Sequence, residues 1–142
     1  MKNYVPSNLT KKDRIKQIKN IKKSRKSYKK KKYVNRDKLK SFTSKRSPHI
    51  IKACKLYNLN SITPNKELSK KTKCSLKVLK KIVEKGQGAY YSSGSRPNQS
   101  AKGWGLARLA SALSGGKASI SDFSLLSDGC EKNSLALKLA RK

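Results

Sequence analysis

The groups in this sequence that can act on a partner are cations. The run KKSRKSYKKKK at residues 22–32 places Lys22, Lys23, Arg25, Lys26, Lys29, Lys30, Lys31 and Lys32 within eleven positions. Like charges at that density oppose compaction and favour a polyanion. On duplex DNA each phosphate contact releases counterions, so log K falls by about 0.9 per contact for each decade of salt. Tyr28, Tyr33 and Phe42 interleave the cations and offer rings on which bases can stack. Three roles stay open for this segment: contact with nucleic acid, docking into a protein assembly, or a solubilising or targeting tail. An anionic membrane face is a further possible partner.

Acid and metal chemistry is thinly supplied. Thirty-seven Lys and Arg face seven Asp and Glu, a formal net charge of +30. The acids are scattered, with no pair spaced for acid/base or two-metal work. His49 is the one histidine. Next to Pro48, at a predicted helix start, it reads as a surface or capping residue. Cys54, Cys74 and Cys130 form no CxxC pair, so a structural zinc site is not expected and reduced thiols are. No Walker loop or serine elbow is present. The expectation is a non-enzymatic protein with no metal, cofactor or small-molecule substrate. Phosphoryl chemistry by Arg96, Arg108 and a tyrosine is the remote alternative.

These groups must be positioned by elements that change along the chain. Residues 1–50 carry net +17, residues 51–85 net +8 and residues 86–142 net +5. That gradient predicts a basic arm over 1–46, disordered or ordered only on a partner, then a compact all-α domain over 47–130 and a short C-terminal helix or tail over 131–142. No secretory signal or membrane span is expected. Within the arm, Ile15, Ile18 and Ile21 form one apolar stripe of a short basic helix.

Ser47-Pro48 starts a helix with Ile50, Ile51, Cys54 and Tyr57 near one face. Thr63-Pro64 begins a second, anchored by Leu68. Ser75 caps a third, which Gly86 ends. The spacing Leu68, Thr72, Cys74, Leu79, Ile82 resembles a helix-turn-helix, with Lys73 where those units usually carry glycine. On that reading Lys73, Ser75, Lys77, Lys80, Lys81 and Lys85 supply the polar face of recognition helix 76–85, its lysines toward phosphate, with no Asn, Gln or Arg to read a base edge. An ordinary helical hairpin with solvated lysines is the other reading. Ser100 caps a fourth helix, small-residue-rich and stopped by Gly115-Gly116.

Between the third and fourth helices lies a predicted loop over 86–99, containing GAYYSSGSRPNQ. Gly94 can take positive φ, Pro97 fixes the entry to the next helix, and Tyr90 and Tyr91 can anchor the turn. Arg96 either clamps the loop, through carbonyls or Asp122, or holds a phosphate or partner carboxylate with the loop serines.

The segment KCSLKVLKKIVEKGQGAYYSSGSRPNQSAKGWGLARLASALSGG resembles a small uncharacterised domain of proteins from large double-stranded DNA viruses and some phages. The resemblance covers about residues 64–130. Its signature falls on Gly86, Gly88, Tyr90, Ser93, Gly94, Arg96, Pro97, Trp104, Ala107, Arg108, Gly115, Gly116 and Asp122. It implies a virion protein. The resulting expectation is a minor capsid-associated protein that docks through its helical domain, with Tyr90, Tyr91, Ser93, Gly94, Arg96, Pro97, Trp104 and Arg108 at the docking surface. Its arm would bridge capsid subunits, genome or inner membrane. The alternative is a free basic DNA-binding protein that condenses viral DNA. Either would be found in the virion and in the cytoplasm or nucleus of the infected cell.

Overall fold

A computed structural model describes residues 4–43 and 46–142. The fold is all-α. Its helices are α1 (Lys11–Lys29), α2 (Pro48–Tyr57), α3 (Lys66–Thr72), α4 (Leu76–Ser92), α5 (Ala101–Leu113), α6 (Lys117–Ser121), α7 (Phe123–Gly129) and α8 (Leu135–Ala140). Among the described residues the only β-pairing is a single antiparallel bridge between Cys74 and Cys130. No described helix is long and apolar enough to cross a membrane.

The chain divides into two compact units. The first comprises the described part of Met1–Lys45 with Gln87–Trp104, and the second Arg46–Gly86 with Gly105–Lys142. The boundary drawn from charge at residue 46 therefore sets apart segments that the structure groups together. Residues 1–3, 44 and 45 of the expected arm lie outside the described residues.

The second unit is a small helical bundle around an apolar core. Pro48 opens α2 in the first turn, where its missing N–H costs nothing. Asn65 caps α3 by accepting from Leu68 N at 2.8 Å, and Ser75 caps α4 by accepting from Val78 N at 3.3 Å. Leu68, Leu79, Ile82, Leu109, Leu113, Leu126 and Leu137 are buried together. The Tyr57 hydroxyl enters this core and donates to Leu113 O at 2.6 Å. Of the expected α2 face, Tyr57 is buried and Ile50 and Cys54 pack against the core, while Ile51 is exposed.

Three sequence expectations fail in this unit, the first being the helix start at Thr63-Pro64, since α3 begins at Lys66 behind its Asn65 cap. Gly86 does not end a helix: α4 runs through it to Ser92, so half of the expected loop is helical. A Cβ at Gly86 would lie 2.6 Å from the Cα of Gly105. The glycine lets two helix backbones touch, and that contact sustains a helix that glycine alone would weaken. Nor are all three cysteines reduced. Cys74 and Cys130 form a disulfide across their bridge, flanked by Ser75 N donating to Gly129 O at 2.7 Å and Glu131 N to Lys73 O at 2.9 Å. Cys54 keeps a free thiol. Lys73, between α3 and α4, has φ of 59°, in the left-handed region.

The first unit has little apolar material. Leu9, Ile21, Leu39, Tyr90, Pro97 and Ala101 are its buried apolar side chains among the described residues. Thr10 caps α1 by accepting from Asp13 N at 3.2 Å. The isoleucine stripe is only partly used: Ile21 is fully buried, Ile18 half-buried and Ile15 exposed. The buried face of α1 is instead Gln17, Ile21 and Ser24, at helical spacing. Two polar members can be buried because their hydrogen bonds are met. Gln17 Nε2 donates to Tyr4 O at 2.8 Å and Ser95 O at 3.1 Å, and Ser24 Oγ to Tyr91 O at 3.2 Å.

Candidate nucleic-acid interface

With that face turned inward, the rest of α1 presents cations to solvent. Lys12, Lys16, Lys19, Lys23 and Lys26 are all exposed and follow i, i+4, i+7, i+11, i+14, a single stripe along the helix. Lys22, Lys29, Lys30, Lys31 and Lys32 are exposed too, and Arg25 is half-buried with its Nε donating to Ser93 O at 2.8 Å. Among the described residues no acid forms an ion pair with these cations, and Asp13 acts on Lys12 and Lys16 only through the field of its charge. The first unit holds 20 basic and two acidic residues, net +18. One of those acids, Asp13, accepts the Ser41 hydroxyl and the Ser41 N–H, which hold its carboxyl below the usual range. Among the described residues the ion pairs are those of Asp122, in the second unit.

What orients the stripe is the segment that raised the docking expectation. Tyr90 is buried and its carbonyl accepts Arg36 Nη1 at 2.8 Å, with the guanidinium carbon 3.8 Å from the Tyr90 ring centroid. Arg36 Nη2 donates to Ser95 Oγ at 2.7 Å and Nη1 to Ser24 Oγ at 3.1 Å. Burial lowers the Arg36 pKa from its ordinary value. Asn98, with φ of 61°, works as a two-sided clamp. Its Oδ1 accepts from Leu39 N at 2.6 Å, and its Nδ2 donates to Leu39 O and Phe42 O at 3.1 and 2.7 Å.

Gly94 has φ of 127°, where any side chain is strained, and a Cβ there would crowd Tyr4 at 3.1 Å and Ile21 at 3.2 Å. Pro97 is buried, and Trp104 sets its edge against Tyr4 at 5.9 Å between centroids. SGSRPNQ is thus largely spent on holding residues 4–43. Tyr91 is half-buried against Tyr90 and Tyr33, whereas Ser93 and Arg96 are exposed.

Arg96 is not the clamp on Asp122. That carboxylate is fully buried in the second unit and accepts Arg108 at two points, both 2.9 Å, and Lys85 at 2.7 Å. Burial raises its pKa, but these bonds and charges prevail and hold it below its usual value. Arg108 is correspondingly raised by its bond to Asp122. Lys73, Lys77, Lys80 and Lys81 are exposed, against the buried face Val78, Leu79, Ile82 and Val83.

Sequence reasoning missed Arg36, Gln17 and Asn98, and it set Lys85 on the polar face of a recognition helix, where the structure pairs it with Asp122. The one available signal was polar residues interrupting the α1 stripe at helical spacing. Among the described residues no group of three His, Cys, Asp or Glu is placed to hold a metal ion.

A family of unknown function (DUF5824) matches residues 3–129, and the chain belongs to it. That span takes in the basic segment, which the sequence resemblance over 64–130 left out, together with the residues that clamp it. No curated protein and no solved structure matches the chain.

Proposed function

For a member of this family, we propose that the chain is a non-enzymatic nucleic-acid-binding protein whose α1 lies along phosphate backbone. The observation that supports this most is the exposed stripe Lys12, Lys16, Lys19, Lys23, Lys26, ordered by a polar clamp and unpaired with any acid among the described residues. Like charges repel at the i,i+4 pairs Lys12–Lys16, Lys19–Lys23, Lys22–Lys26 and Arg25–Lys29. Such a surface is kept at a cost in stability, and a polyanion relieves it. Phosphate positions the protein without reading sequence, so binding is sequence-tolerant.

The α3–α4 pair is a proposed second contact of helix-turn-helix type. Lys73 supports it by adopting the left-handed conformation at the turn where such units often carry glycine. Lys77, Lys80 and Lys81 would face phosphate. The stretch Leu76–Lys85 has no Asn, Gln or Arg to pair with a base edge.

The test is the salt dependence of duplex-DNA binding by the full chain and by a variant with Lys12, Lys16, Lys19, Lys23 and Lys26 all changed to Gln. The slope of log K against log salt should flatten by about 0.9 for each phosphate no longer neutralised. An unchanged slope would sink the assignment to α1. Failure of the parent chain to bind duplex at about 0.15 M salt would leave the capsid-associated role as the better reading, with the same lysines against an acidic protein surface.

A further inference from the structure

Beside the lysine stripe, the first unit has a cleft of about 550 Å³ lined by Arg25, Tyr28, Lys29, Lys31, Tyr33 and Ser92. Its size falls within the range of about 300–1,000 Å³ of small-molecule sites. Three of its six lining residues are cations and two are phenol rings; none is acidic. Tyr33 is 67 % exposed yet does not project alone. Its ring lies 5.9 Å from that of Tyr28 and 5.1 Å from that of Tyr91, and Tyr91 in turn meets Tyr90 edge-on at 5.1 Å. The open ring is therefore backed by a series of packed rings.

Two of the three cations are also held, Arg25 through its side chain and Lys31 through its backbone. Arg25 is fixed by its bond to Ser93 O at 2.8 Å. Lys31 has φ of 60°, unusual for a side chain with a Cβ, in a turn closed by Lys31 N to Tyr28 O and Lys32 N to Ser27 O, both 2.9 Å. Those bonds also occupy two of the last carbonyls of α1, of Ser27 and Tyr28, which would otherwise repel an anion. An ordered exposed ring beside three uncompensated cations matches a flat aromatic group that carries a phosphate.

We propose that this cleft binds an unpaired nucleotide, its base stacked on Tyr33 and its phosphate held by Arg25, Lys29 and Lys31. The inference rests on the nucleic-acid reading above and deepens it. A base inside a duplex has no free face, so Tyr33 can act only on single-stranded or unpaired segments, while the α1 stripe serves any phosphate backbone. The protein should then prefer single strands, or junctions of single strand with duplex.

The experiment uses the full chain, a fluorescent oligothymidylate and a blunt duplex of equal length, with binding read by anisotropy at about 0.15 M salt. Tyr33→Ala should weaken single-strand binding about ten- to a hundredfold, the range for removing one base–aromatic stack, and leave duplex binding unchanged. Tyr33→Phe should keep both. Because Tyr33 is largely exposed, its removal should not unfold the unit, which far-ultraviolet circular dichroism checks, and Arg25→Gln gives a second route to the same weakening on single strands. Unchanged single-strand affinity, or an equal weakening on both probes, would overturn the cleft while leaving the α1 reading intact. Binding of neither probe by the parent chain would remove both.

Discussion

The two units reach order by opposite means. The second buries seventeen apolar side chains in one cluster and adds a disulfide and a buried carboxylate between two cations. The first buries six among its described residues and relies on Gln17, Ser24, Arg36, Ser95 and Asn98, whose bonds end largely on backbone carbonyls and hydroxyls. The difference follows from composition. A segment in which cations outnumber apolar residues cannot build a core by the hydrophobic effect, which scales with apolar area. It can still be fixed where polar groups are satisfied and the charges stay in water. Order without a core leaves the charges on display.

Reduction should break this comparison most sharply. The Cys74–Cys130 disulfide closes a span of 56 residues. Removing it should cost the second unit about 4 kcal/mol by the loop-entropy relation. Urea melts with and without reductant measure the change, and amide exchange should show α1 protection unchanged.

Next is Asp122→Ala, expected to cost about 3 kcal/mol, since it leaves Arg108 and Lys85 without their buried partner. Both cations keep some access to water, which places the figure at the low end. The pH dependence has a definite sign. Because the native carboxyl lies below its usual value, the unfolded chain binds the proton more readily. The stabilisation is full above the unfolded pKa of about 3.9 and is lost as pH falls through the depressed native value. Asp122→Asn should abolish that acid-side dependence in denaturant melts.

Arg36→Met is the corresponding lesion in the first unit. It removes three side-chain hydrogen bonds and the packing on the Tyr90 ring. As Arg36 is half-buried, a destabilisation of about 2 kcal/mol is expected. Exchange of α1 amides should quicken by roughly thirtyfold, at 1.4 kcal/mol per factor of ten, with the amides of α2 and α3 unaffected. Equal quickening in both units would mean that they do not differ as described.

Much of the second unit was legible, because its helices begin and end on residues with local reasons to be there. Ser75 and Ser100 accept cap bonds at the starts of α4 and α5, and Pro48 sits in the first turn of α2 after Ser47, which makes no cap bond. Gly115, with φ of 75°, lies just past the end of α5. Gly86 misled because a helix stop and a helix–helix contact call for the same residue type. The disulfide left no trace in a spacing of 56 residues.

In the first unit, the positive charge of α1 was plain but its inward face was not. Apolar periodicity points to Ile15, Ile18 and Ile21, whereas the buried positions include Gln17 and Ser24, whose partners lie 78 and 67 residues away. Arg36 and Asn98 act on backbone at separations of 54 to 59 residues, where no local pattern exists.

The most direct test of the display of charge by α1 is lysine footprinting by acetylation of the full chain, with and without saturating duplex DNA. Strong protection is expected at Lys12, Lys16, Lys19, Lys23 and Lys26, weaker protection at Lys77, Lys80 and Lys81, and none at Lys132 or Lys138. Protection confined to α4, or spread evenly over both units, would contradict it.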